Sequence, residues 1–166
     1  MRTRLLVIVL MLVLAPASQL RAQESVVSYK SMSPEVALEL ALAALKSCRD
    51  SGYQVAVAVV DRFGIPQVML RDRFAGPPTP PTAAGKAWTA VSFRTDTSDL
   101  VGVTQPGMPQ AALRSLPGAV VLGGGIQVQA GGATLGAVGV SGAPGGEADD
   151  ACAKAGIEAV REKLEF

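Results

Sequence analysis

The chain has 166 residues, 49% hydrophobic and 17% charged, with a formal net charge of +1, a length that suits one domain with a substantial core. Setting aside the leader arginines Arg2, Arg4 and Arg21 leaves 12 basic against 14 acidic residues, a net charge of −2, so no basic surface points to nucleic acid. The sequence holds no histidine, which removes the usual general base and the commonest metal ligand.

Arg2 and Arg4 precede an unbroken apolar run, Leu5 to Leu14, and two small-residue sites follow, Ala15-Pro16-Ala17 and Leu20-Arg21-Ala22. The run is about half of the roughly 20 residues a membrane span needs. Residues 1–22 therefore read as a secretory signal cleaved after Ala17 or Ala22, residues 23–32 as an N-terminal extension, and residues 33–166 as the domain. The mature protein is expected to be periplasmic or secreted, with no membrane segment after cleavage.

Ser33 can cap a helix, Pro34 suits its first position, and Glu35 sits at the positive end of its dipole. Leu38, Leu42 and Leu45 recur at helical spacing beside Ala41 and Ala44, and Gly52 fits the stop. Val55 to Val60 alternates valine with alanine, a strand buried on both faces whose alanine side leaves room for helices. Asp61-Arg62-Phe63-Gly64 is a turn, and Ile65 to Leu70 a second strand with Pro66 at its end or edge. Phe74 to Pro81 carries Pro77, Pro78, Pro80 and Pro81, which predict irregular chain. Thr82 then caps a helix running through Lys86, Trp88 and Val91. Asp96–Val101 and Pro109–Leu116 read as short helical pieces around the loop Thr104 to Gly107. Ala119–Leu122, Ile126–Ala130 and Ala133–Val140 read as strands, the last two joined at Gly131-Gly132. Asp149 opens a final helix reaching about Leu164. Strands arriving as hairpins between helices predict an α+β layer fold with a mainly antiparallel sheet.

Cys48 and Cys152 form an even pair, which in an oxidising compartment reads as a disulfide and otherwise as two buried thiols. Cys48 lies near the end of the first helix and Cys152 near the start of the last. Antiparallel packing of those helices on one sheet face would bring the two sulfurs together.

Glycine weakens a strand unless a turn, a bulge or a close approach needs the missing side chain. Gly123-Gly124-Gly125 and Ser141-Gly142 are therefore candidate ligand-facing backbone, against a plainer reading as turns and close helix packing. Lys86 reads as a solvated lysine or as a ligand anchor, and Arg71, beside Asp72 and Arg73, as a surface charge or a carboxylate partner. Glu147, Asp149 and Asp150 fit a helix start better than a metal site. Trp88 and Phe93 suit core or an interface. No G-x-S-x-G elbow is present, so no catalytic residue and no metal site are assigned.

Four stretches together resemble the GlcG/HbpS-like family: Val55 to Asp61 followed by Gly64; Arg71-Asp72; Lys86-Ala87-Trp88-Thr89-Ala90; and the glycine series from Gly123 through Ser141-Gly142 to Asp150 and Gly156. The resemblance runs from Ser33 to Leu164. It implies a five-stranded, mainly antiparallel sheet flanked by helices, assembly into a homo-oligomer and, as in some members, binding of haem or a related tetrapyrrole. It also leads one to expect a histidine where Ala75-Gly76-Pro77-Pro78-Thr79 has Pro78. An axial haem ligand would then come from Met69, Met108, Tyr53, Lys86, a threonine or a thiol. The expected function is a secreted oligomeric binding protein for haem, a tetrapyrrole or a similar carboxylate-bearing small molecule. Its site would use Arg71, Lys86, the amides of Gly123, Gly124 and Gly125, and Ser141 with Gly142. The alternatives are an enzyme of organic acid metabolism with Lys86 as base or anchor, and a non-catalytic interaction protein.

Overall fold

Alternation of large and small side chains along one strand organises the molecule. The computed structural model describes residues 25–165, so the leader expected at residues 1–22 lies outside the described residues. In β1 (Ala56–Asp61), Val57 and Val59 join the larger core cluster, while Ala56, Ala58 and Val60 face the other side. A helix can approach the alanine face more closely than the valine face, because there is less side chain between the backbones.

β1 pairs antiparallel with β2 (Pro66–Arg71) on one side and with β4 (Ala133–Ser141) on the other, and β4 pairs antiparallel with β3 (Gly125–Ala130). The strand order is β2-β1-β4-β3. Two hairpins are thus joined through their partners β1 and β4, with β2 and β3 at the edges. Pro66, which lacks an amide donor, starts the edge strand β2, as expected.

The valine face is covered by α1 (Pro34–Asp50) and α4 (Gly146–Ala159), whose Leu40, Ala44 and Ala153 pack on Val57, Val138 and Val140. The alanine face is covered by α2 (Thr79–Phe93) through Ala83, Ala87 and Ala90. A methyl group at Gly139 would overlap the Ala83 carbonyl, and one at Gly125 the Lys86 carbonyl. These two strand glycines serve the close approach of α2. Ser33 caps α1 through the Val36 amide, as the sequence predicts.

The sheet has four strands among the described residues, not five. Ala119–Leu122 joins no ladder, and Leu122 sits at a bend: the Val120 amide donates to Thr89 Oγ1 at 2.8 Å, and Val120 packs against Gly85. An amide bonded to a helix side chain in this way is not free to pair with a strand.

Two helix boundaries also differ. α2 begins at Thr79, with Pro80 and Pro81 inside its first turn, where the missing amides would have had no helical partner anyway. The final helix begins three residues earlier than expected and is interrupted at Val160, the remainder being α5 (Arg161–Leu164). The short pieces are α3 (Thr97–Val103) and a 3-10 turn, Ala111–Ser115. Among the described residues no helix is long and apolar enough to cross a membrane.

The Cys48–Cys152 disulfide is present, with Cα atoms 5.4 Å apart. It joins the end of α1 to the second turn of α4 through the antiparallel packing that the sequence predicts, with Gly156 lying against Leu40 and Ala44.

Candidate functional site

Position 86 falls on the same stripe of α2 as Ala83, Ala87 and Ala90, so its side chain is carried toward the sheet. Lys86 is only 2% exposed; the expectation of a solvated lysine is overturned. Its Nζ donates to Asp149 Oδ2 at 2.7 Å and to the Val140 carbonyl at 2.9 Å. An ammonium has three protons, so one remains without a partner among the described residues.

Asp149 links α2 to the chain that follows β4. Its second oxygen accepts from the Ala143 amide at 3.0 Å. Burial pushes the Asp149 carboxyl above its usual range, while Lys86 and the Ala143 amide pull it back. Asp150, also buried, accepts from the Gly124 amide and from the Ser98 hydroxyl. Asp149 does fall in the first turn of α4, but neither carboxylate caps the helix: the two tie it to α2, α3 and the chain just before β3 and just after β4. Glu147 alone of the three is exposed.

These contacts surround a cleft of about 650 Å³ at the end of the sheet where β4 finishes and β3 begins. Lys86, Gly123, Ser141, Gly142, Gly145 and Gly146 are among its walls, with Ser98, Val101 and Leu122 on the α3 side. Its volume lies within the range of small-molecule sites. Among the described residues no cluster of three or more histidine, cysteine or acidic side chains could hold a metal ion.

The structure thus brings together Lys86, Gly123, Ser141 and Gly142 out of the residues singled out from sequence. Gly124 and Gly125 adjoin the cleft differently. Their amides are already engaged, Gly124 with Asp150 and Gly125 with Thr97 Oγ1 at 2.9 Å, so they do not present donors to an occupant. A side chain at Gly124 would press on Lys86 Nζ at 2.9 Å, and its φ of 116° suits glycine.

Arg71 does not line the cleft. It stands exposed on the edge strand β2, its guanidinium donating to the Ala75 carbonyl. Arg71 and Ser141 both pair with Ala56 from opposite sides, which places them about 10 Å apart, two strand spacings.

Sequence reasoning missed Ser98 and the part Asp149 and Asp150 play in the site. The available signal was the Ala83, Ala87, Ala90 stripe: a lysine on a buried stripe demands a buried acid. Trp88 packs on Gly64 of the β1–β2 turn and edge-on to Phe93, with ring centroids 6.3 Å apart, and takes no part in the cleft.

Known proteins share this framework. A double mutant of Streptomyces reticuli HbpS superposes with a TM-score of 0.77 at 36% identity, covering 88% of this chain and 98% of that one. Klebsiella pneumoniae ORFY gives 0.81 at 25% identity, covering 84% and 97%. The PduOC–haem complex gives 0.73 at 30%, covering 78% and 94%. Corrinoid adenosyltransferase PduO of Salmonella typhimurium is 37% identical over 106 residues, 63% of this chain but 32% of PduO. The chain spans about a third of the length of that curated relative. Residues 32–158 match the family model described as haem degrading protein HbpS-like. With that match over most of its length, the α+β layer fold and these neighbours, the chain belongs to the HbpS-like family.

Proposed function

We propose that this protein is a binding protein for haem, a related tetrapyrrole or another small molecule bearing a carboxylate, held in the cleft at the end of β4. The observation that carries this reading is the buried Lys86, which keeps one ammonium proton beside a cleft also lined by the Ser141 hydroxyl. Charge-assisted donors of this kind suit a carboxylate.

The cleft suits the carboxylates of haem better than its iron. No histidine exists to ligate it. Both cysteines are in the disulfide, Lys86 is held by Asp149 and Val140, and Met69, Met108 and Tyr53 do not line the cleft. Iron-free porphyrin is therefore expected to bind as well as haemin. Absorbance titrations of the purified protein with haemin and with protoporphyrin IX test this. Saturable binding of both at comparable affinity supports the reading. No saturable change with either defeats it, and tight binding of haemin alone would mean iron ligation of a kind this cleft does not offer.

The enzyme alternative, with Lys86 as a base, is less favoured because its ammonium is committed to a carboxylate. Export is part of the proposal. A buried disulfide favours an oxidising compartment, and N-terminal sequencing of envelope protein is expected to begin at Ser18 or Gln23. A homo-oligomer is proposed as well. The exposed Phe63 and Ile65, with Tyr29 edge-on to Phe63, offer an apolar patch for it, and light scattering gives the mass.

A further inference from the structure

We propose that the amino end of α4 is an anion subsite for a single carboxylate, with the Gly146 and Glu147 amides, the Ser141 hydroxyl and the remaining Lys86 proton as its donors. This deepens the reading above, since it uses the same cleft, but it does not depend on haem being the occupant.

Every helix begins with amides that lack a helical partner, and its amino end carries about half a positive charge. In α4 no side chain caps them: the N-cap is Gly145. Of the acids at this end, Asp149 is committed to Lys86 and Ala143 and Asp150 to Gly124 and Ser98, while Glu147 is exposed. The uncapped end opens on the cleft, where Gly145, Gly146 and Glu147 form part of the wall.

A second, independent feature points to the same place. Ser141 is 8% exposed, lines the cleft and has a hydroxyl with no hydrogen-bond partner among the described residues. Ser141 Oγ is not among the fully buried unpartnered atoms, so the hydroxyl of this nine-tenths-buried residue reaches the cleft as a donor an occupant can use.

Two glycines meet beside the α4 end, with the Ser98 hydroxyl against Gly123. Gly123 and Gly146 touch: a Cβ on Gly123 would lie 2.9 Å from Gly146 Cα, and one on Gly146 would lie 2.8 Å from Gly123 Cα. Neither position has room for a side chain, so none is placed beside the α4 amides by Gly123 or Gly146.

The surrounding charge selects the anion. Lys86 is neutralised by Asp149, while Asp150 and Glu147 add negative charge close by. The helix end sets about half a positive charge against those acids, so a carboxylate monoanion is opposed less than a dianion. A phosphate dianion would meet net repulsion from the two acids.

The test is amide NMR of the purified protein titrated with propionate and, at matched ionic strength, with inorganic phosphate. Propionate is expected to shift Gly146 and Glu147 saturably, and phosphate to leave them in place. Ser141→Ala should weaken propionate binding roughly three- to tenfold, the worth of one hydrogen bond. Glu147→Pro removes one donor at a position where proline is tolerated, as Pro80 and Pro81 are in α2. It should weaken binding, whereas Glu147→Ala, which keeps the amide, should bind at least as tightly as wild type.

Unmoved α4 amides, equal response to phosphate, or full affinity in both Ser141→Ala and Glu147→Pro would overturn the subsite. Haem binding with unmoved α4 amides removes the subsite and leaves the haem reading standing. Propionate binding here without haem binding does the reverse.

Discussion

Lys86 and Asp149 meet 2.7 Å apart with side chains 3% and 5% exposed, joining the helix on one face of the sheet to the helix on the other. A buried pair of this kind is weak support for stability as a unit, yet removing one partner strands the other charge. Lys86→Met should therefore destabilise the protein by roughly 3–5 kcal/mol, read from urea unfolding. The double variant Lys86→Met/Asp149→Leu should recover much of that loss. A loss from the single variant below about 1 kcal/mol would mean that water reaches the pair, since exposed pairs contribute that little.

The Cys48–Cys152 bridge closes a loop across 104 positions of sequence. The chain-entropy model gives on the order of 4–5 kcal/mol for a loop of that size. Replacing both cysteines with alanine should lower stability toward that amount. Thiol labelling of denatured, non-reduced protein should find no free sulfhydryl.

Asp72 accepts two hydrogen bonds from Arg49, each 2.7 Å long. These bonds hold its carboxyl below the ordinary aspartate value, against the opposing effect of burial. The unfolded chain therefore takes up a proton at Asp72 at a pH where the folded chain does not. The stabilisation is complete above the unfolded value, near 3.8, and is lost as the pH falls from there through the lower folded value. Asp72→Asn should flatten the acid limb of a stability-against-pH profile in that window and leave its slope at neutral pH unchanged.

Two glycines should respond oppositely to alanine. Gly139→Ala forces a methyl group into the Ala83 carbonyl and should cost about 1–3 kcal/mol or more. Gly102, inside α3, has open space around an added methyl and no positive φ. Gly102→Ala should stabilise by up to about 1 kcal/mol. Thermal melts of both variants check the pair.

Much of the fold was legible because it rests on local pattern. The Val55 to Val60 alternation announces a strand between two helix layers, and Ser33-Pro34-Glu35 announces where α1 begins. Ala119–Leu122 has the composition of a strand, but whether such a segment joins a ladder depends on what lies beside it, here α2 with Thr89 as hydrogen-bond partner. The site was legible in part for a similar reason. Lys86, Ser141 and Gly142 stand out by residue type, whereas the Lys86–Asp149 pairing spans 63 positions of sequence and exists only once both faces of the sheet are covered. Glycine density carried a mixed message: Gly125 and Gly139 answer to helix packing, Gly123 and Gly142 to the cleft.

The first two turns of α4 are fastened at three neighbouring positions: Asp149 to Lys86, Asp150 to Gly124 and Ser98, and Cys152 to Cys48. A wall held this firmly is preorganised, so an occupant loses little affinity to ordering the protein. The same rigidity sets a size limit. A guest too large for the resting shape cannot wedge the cleft open without breaking a buried ion pair or straining a covalent bridge, so selectivity here should act by exclusion, and the backbone of the empty and filled protein should superpose.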